Sequence, residues 1–184
     1  MDLDYRYVAA GVFALWLSWT FNTLIARRNQ VRFAGAAIDA YLKKRFDLIP
    51  NLVSVCETYL AHERTVLTDL TRLRREGVEA LQRGDRAPDG PMRLGLQRLM
   101  AVAEAYPVLV SQQNFVLLQH SLNEVEEQLA AARRAFNAAV TDFNTTRERF
   151  PANLVALLLG FAPAQVFEIT EAERAPVAVW RKTP

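Results

Sequence analysis

The sequence predicts an all-α protein whose amino-terminal helix crosses a membrane and continues into an antiparallel bundle of long helices. Three observations support this class. The 184 residues include only seven glycines and eight prolines. Alanine, leucine, arginine, glutamate and glutamine are abundant, and all of them are good helix formers. Apolar residues recur at steps of three and four, which is the period of one face of a helix.

The first predicted helix contains an uncharged apolar stretch. Residues 8–21 read VAAGVFALWLSWTF, and apolar side chains on all sides are typical of membrane or deeply buried helices. With its flanks, residues 5–25, the stretch approaches the roughly 20 residues needed to span a bilayer. We interpret residues 1–25 as a signal anchor. The alternatives are a buried helix of a soluble protein and a cleaved secretory signal, which the acidic Asp2 and Asp4 and the lack of a small-x-small cleavage site disfavour.

Lysine and arginine predict the orientation of this span. Only Arg6 precedes it, whereas Arg27, Arg28 and Arg32 follow it, and the basic run KKR comes after them at residues 43–45. Because basic residues favour the cytosolic side, we expect the short amino terminus outside and the remainder in the cytosol. Arg27, Arg28 and Arg32 are also candidates for contact with anionic lipids.

The pattern after the span predicts a bundle over residues 26–169 and a flexible tail over 170–184. Helix one is predicted to end near Phe46. Asp47 would cap helix two, with Pro50 in its first turn, and helix two would run to about Arg83. GDRAPDGP at 84–91 predicts a loop. A shorter helix is predicted over about 92–105 and the longest over about 111–149, followed by the short apolar helix PANLVALLLGF at 151–161.

The predicted lengths of helices one and two do not match. Helix one would extend roughly 30 Å beyond the membrane, whereas an unbroken helix two would return over roughly 50 Å. Arginines of helix two would then reach membrane depth, which is unfavourable. We therefore expect a kink at residues 22–30, a bend near Gly77, or a bundle lying along the membrane.

Several segments, in order and spacing, resemble the LemA family. LKKRFDLIPNLV at 42–53 carries the most specific similarity, and AHE at 61–63, LMAVAEAYP at 99–107, QNF at 113–115, ARRAFNAAVTDFNT from Ala132 and RFPANLVALLLGF from Arg149 continue it. The chain departs from the family pattern at AGAA from Ala34, where an aromatic is common, and at Phe136 and Phe143, where tyrosines are common. The family-motif positions, whose role is unknown, are Asp47, Pro50, Asn51, Tyr59, His62, Glu63, Asn114, Phe115, Asn137, Asn144, Phe150, Pro151 and Asn153.

The resemblance implies a bacterial inner-membrane protein with its amino terminus outside and a helical domain in the cytosol. It implies no established biochemical activity. The asparagines are the motif residues that the pattern explains least, because asparagine is a poor residue for helix interiors. Asn114 and Asn153 suit first-turn positions. Asn137 and Asn144 lie on one helix face, where they would form interhelical hydrogen bonds or face a partner.

No pattern predicts a catalytic, metal or cofactor site. A net charge of +2 does not favour nucleic acid as a partner. His62 and Glu63 lack the second histidine of a zinc-protease motif, and the sequence indicates no small-molecule substrate. An enzyme would need a buried, convergent set, for which the candidates are Glu57, His62, Glu124 and Arg133. We therefore predict a non-enzymatic membrane scaffold or adaptor that binds a protein partner or itself, besides the lipids around its span. The alternative is a lipid-binding or membrane-shaping protein that uses the basic residues and the helix at 151–161.

Overall fold

The computed structural model describes residues 2–85 and 89–167 of the chain. Within these residues the secondary structure is helical, without a strand, which confirms the all-α class. The helices are α1 (Asp2–Glu57), α2 (Arg64–Gln82), α3 (Asp89–Ala103), α4 (Pro107–Val110), α5 (Gln113–Glu148) and α6 (Ala152–Leu158). The tail predicted at 170–184 lies outside the described residues.

The described chain divides into two compact units. The first unit contains residues 2–37 and 131–167, so it combines the amino-terminal part of α1 with the carboxyl-terminal part of α5 and with α6. The second unit contains residues 38–130, with the rest of α1, the helices α2 to α4 and the first part of α5. The boundary predicted at residue 25, for the membrane anchor, and the boundary predicted at residue 169, for the flexible tail, remain predictions.

The prediction that helix one ends before Asp47 is wrong, because α1 continues through Pro50 to Glu57. A proline inside a helix has no N–H to give to the carbonyl four residues earlier, which here is the carbonyl of Phe46. Arg74 of α2 supplies the missing donor, since its Nε lies 2.9 Å from the Phe46 oxygen. Asp47 is therefore an exposed residue inside α1 and caps no helix.

The chain reverses at residues 58–63, so helix two does not begin near Leu48. Because the reversal lies at residues 58–63 and not before Leu48, the predicted mismatch between the lengths of helices one and two disappears. The part of α1 that follows Ile25 has a length of about 48 Å, whereas the 19 residues of α2 return over only about 28 Å. The kink at residues 22–30 and the bend near Gly77 were expected only because helix two was predicted to be the longer of the two, and that premise does not hold.

The core of the second unit follows the stripes expected from the sequence. Ile38, Leu42 and Phe46 of α1 are buried, and so are Leu122, Val125 and Leu129 of α5, each set at steps of three or four. Full burial of such a side chain contributes roughly 1.5–3 kcal/mol. Gly77 of α2 lets the helices approach closely, because a Cβ atom there would lie 2.5 Å from Cζ of Phe46.

Arg45 is buried in this core, although the sequence placed it in a basic run with Lys43 and Lys44. Its side chain is 1% exposed, and its Nη1 lies 2.6 Å from Oε2 of Glu126 on α5. Lys44 forms a longer contact of 3.9 Å with Glu124, and both of these side chains are about half exposed. A buried cation depends on a charged partner far more than an exposed cation does. The ion pair between Arg45 and Glu126 therefore joins α1 to α5 inside the second unit.

Candidate interaction surfaces

The apolar helix α6 packs one face onto α1 within the first unit. Val155 and Ala156 form a buried cluster with Leu24, and Phe161 packs against it. The Phe161 ring also contacts Phe21 edge-on, with ring centroids 6.4 Å apart. The inner face of α6 is therefore part of the core of the first unit.

The opposite face of α6 is uncovered by the described part of the chain. Leu157 and Leu158 are each 83% exposed, and Phe150, just before the helix, is 80% exposed. Leu154 and Leu159 are more than half exposed. Contiguous exposed apolar surface marks an interaction site more often than scattered apolar residues do, so this face is a candidate docking surface.

The amino-terminal part of α1 has the length and composition to cross a membrane. Its most apolar window of 18 residues is only 11% buried. Val12, Leu15 and Trp19 are among its highly exposed side chains. These side chains point away from the protein, unlike those of a core helix, which are mostly buried.

The arginines predicted to contact lipids have different surroundings. Arg27 lies 3.5 Å from Asp142 of α5, and the Arg28 guanidinium lies over the Phe161 ring at 5.2 Å. Arg32 is exposed. Two of the three therefore also hold the first unit together.

Asn137 and Asn144 bind an extended segment rather than another helix. The Asn144 amide donates to the carbonyl of Ala164 at 2.8 Å and accepts from the N–H of Ala164 at 3.0 Å. Asn137 makes the same pair with Phe167, at 3.0 Å and 2.7 Å. Seven residues of helix rise about 10.5 Å, and three residues of extended chain span about 10 Å. The two spacings match, so the asparagines hold residues 164–167 in register along α5.

Asn51 and Asn114, which are 63 positions apart in sequence, come together at a groove in the second unit. The groove has a volume of about 410 Å³. It is lined by Asn51, Ser54, Val55, Asn114, Leu117, Leu118 and Ser121. Asn114 is in the first turn of α5, as predicted, and both asparagines are exposed. We call this feature the Asn51–Asn114 groove.

The other motif residues lie in the turns and the core. His62 and Glu63, which the sequence placed inside helix two, belong instead to the turn before α2, and His62 is exposed. The Tyr59 hydroxyl accepts a hydrogen bond from Gln112 at 2.6 Å, and Phe115 is buried. Pro151 directly precedes α6, and Asn153 lies in its first turn, exposed, as predicted.

The residues proposed for an enzymatic site do not form a buried cluster. Glu57, His62 and Glu124 are all exposed. Among residues 2–85 and 89–167, no three histidine, cysteine or acidic side chains converge as metal ligands. Cys56 is fully buried, and this burial raises the pKa of its thiol to about 11. A thiol with a raised pKa is a poor nucleophile near neutral pH.

Over residues 2–85 and 89–167, the fold and its surfaces define an all-helical protein with one helix able to cross a membrane. The chain matches the LemA family over residues 34–180, and it belongs to that family. It is 26% identical to the magnetosome proteins MamQ 1 and MamQ 2 of Paramagnetospirillum magneticum, over 90% of this chain and 71% of theirs. It is 24% identical to protein LemA of Metamycoplasma hominis, over 91% of this chain and 77% of that protein. None of these names describes an enzyme.

Proposed function

We propose that this protein is a membrane-anchored scaffold of the bacterial inner membrane and that its second unit binds a protein in the cytosol. The observation that carries the proposal is the Asn51–Asn114 groove with the apolar residues beside it. The proposal includes no catalytic step. The apolar, outward-facing side chains of residues 8–21 support the anchor, because side chains such as Val12 and Leu15 are largely uncovered by the described part of the chain.

Exposed apolar residues occur in the groove at Leu117 and nearby in the sequence of α4 and α5. Val108 and Val110 of α4 are 64% and 41% exposed, and Val116 and Leu117 of α5 are 47% and 58% exposed. All four lie within ten residues of one another around the turn between the two helices. An interface core combines such apolar anchors with a few hydrogen-bonding groups, and the amides of the groove supply donors and acceptors.

In-cell photocrosslinking tests the groove. A photoreactive phenylalanine analogue at Ser54 or Leu117 should form discrete adducts with a partner or a second copy. The same analogue at Glu79, an exposed residue of α2, is the control. Leu117→Asp should reduce the Ser54 adducts, whereas Leu94→Asp, at a leucine of α3 that is 61% exposed, should leave them. Adducts that are no stronger at Ser54 and Leu117 than at Glu79 would contradict the proposal.

Reporter fusions test the orientation, which the basic residues after the span support. We expect a fluorescent protein fused after Pro184 to fluoresce, because it folds in the cytosol, and alkaline phosphatase at the same place to be inactive. The reverse result would place the second unit outside the cytosol. Release of the full-length chain by an alkaline carbonate wash would contradict the anchor itself.

A further inference from the structure

Helix α6 packs on α1 near the end of the uncharged stretch, and this contact sets the depth of its outer face. Its inner residues Val155 and Ala156 pack on Leu24, near the end of the uncharged stretch, and the next charged residue is Arg27. A hydrocarbon layer of about 30 Å takes up about 20 helical residues. An apolar span that ends before Arg27 therefore places Leu24, and the helix packed on it, at the boundary between hydrocarbon and headgroups.

Side chains of α1 that precede Leu24 are also packed inside the first unit. Thr20, one helical turn before Leu24, is 5% exposed, and its hydroxyl donates to the carbonyl of Trp16 at 3.0 Å. Phe21 meets Phe161. The α6 region therefore covers one side of α1 at this depth, while residues such as Trp19 remain 68% exposed around it.

From this placement we propose that α6 is an interfacial helix, with Leu154, Leu157 and Leu158 inserted into the lipid leaflet that surrounds residues 20–25 of α1. The inference rests on the proposed membrane anchor. Because α6 packs at the level of Leu24, close to exposed apolar residues of the span such as Trp19, lipid rather than a protein is the occupant that this position favours. Seven residues are too few to span a bilayer, but they suffice to lie in its interface.

The charges around α6 fit an anionic headgroup layer. Arg149, just before Phe150, is exposed, and so is Arg32 of α1. The exposed carboxylate of Glu148 lies 3.2 Å from the guanidinium of Arg147, which offsets its negative charge. Basic side chains beside an inserted apolar face strengthen binding to anionic lipids.

Spin-label accessibility tests the insertion on the full-length protein in vesicles of phosphatidylethanolamine and phosphatidylglycerol. Cys56→Ala removes the single native cysteine, and a nitroxide is then attached at Leu157→Cys or Leu158→Cys. These side chains are 83% exposed, so the label should not disturb packing; retained helical circular dichroism checks this. Val12→Cys reports the span, and Leu94→Cys reports an exposed leucine in the second unit.

Insertion predicts that the labels at 157 and 158 lose access to a water-soluble nickel reagent and gain access to oxygen, as the label at Val12 does. Nickel access at 157 and 158 equal to that at Leu94, with Val12 shielded, would overturn the insertion and leave the anchor standing. Nickel access at Val12 as well would overturn both. Dipolar broadening between labels at 157 would show a second copy as the occupant and would also overturn the lipid proposal.

Discussion

Replacing Arg74 should destabilise the second unit because it removes the donor that compensates for Pro50. Arg74→Met keeps a long side chain but leaves the buried carbonyl of Phe46 without the hydrogen bond that Nε makes at 2.9 Å. An unsatisfied buried acceptor costs about 1–3 kcal/mol. We therefore expect Arg74→Met to lower the free energy of unfolding by that amount.

Arg74→Met should lower the free energy of unfolding much less when position 50 is alanine instead of proline. Alanine restores an N–H at position 50, which can donate to the Phe46 carbonyl within α1. A double-mutant cycle should consequently show a coupling of about 1–2 kcal/mol between positions 50 and 74. Urea unfolding of the four full-length variants in detergent micelles, followed by circular dichroism, measures it.

Arg75→Met is the matched control, because Arg75 is an exposed neighbour on the same helix. We expect it to change stability by no more than about 0.5 kcal/mol in either background. If Arg74→Met costs the same with Pro50 as with alanine, within about 0.5 kcal/mol, Arg74 does not act by satisfying the carbonyl that proline leaves free.

Four further variants test three predictions about the packing of the second unit. Gly77→Ala should cost about 1–3 kcal/mol in the same unfolding assay, because its methyl group meets the Phe46 ring; an unchanged stability would show that the ring moves aside. Glu126→Gln removes the charge facing the buried Arg45 guanidinium and should lower the free energy of unfolding by about 1–3 kcal/mol. Glu124→Gln affects a half-exposed pair and should lower it by at most about 0.5 kcal/mol. Equal losses would show that burial does not make the Arg45 pair more important for stability. Burial raises the pKa of Cys56 from 9.0 to about 11, so the thiol of the unfolded chain ionises at lower pH than the native thiol. The free energy of unfolding should therefore fall between pH 9 and pH 11. If Cys56→Ala shows the same pH dependence of this free energy, the prediction is wrong.

The sequence predicted the fold class and the buried faces because both depend on local patterns. Ile38, Leu42 and Phe46 repeat at a spacing of four, and an α-helix places such residues on one face whatever that face contacts. The apolar stretch of α1 was recognisable for a similar reason, since its length and lack of charge are properties of the segment alone.

The end of α1 and the position of Arg45 could not be read in the same way. Pro50 normally marks a helix start, and only Arg74, on a different helix, lets α1 continue through it. Arg45 looked like a surface residue between charged neighbours, and its counter-ion Glu126 lies 81 positions away. The continuation of α1 through Pro50 and the burial of Arg45 each depend on a residue that only the tertiary structure brings close. The local sequence around Pro50 or Arg45 does not indicate that residue.

For Asn137 and Asn144 of α5, the sequence predicted the interacting face but not the segment that it binds. Their spacing of seven identified a common face, but not the partner. A helix backbone cannot satisfy both polar atoms of an amide, because its N–H and carbonyl groups are already paired within the helix. The paired bonds that Asn137 and Asn144 make with the N–H and carbonyl of one residue therefore require an extended segment. Because this segment follows α6 directly, the asparagines hold the chain after the helix while α5 holds the chain before it. The exposed leucines of α6 thus face outward as a result of fixed packing on both sides, which is the preorganisation that an interfacial helix needs.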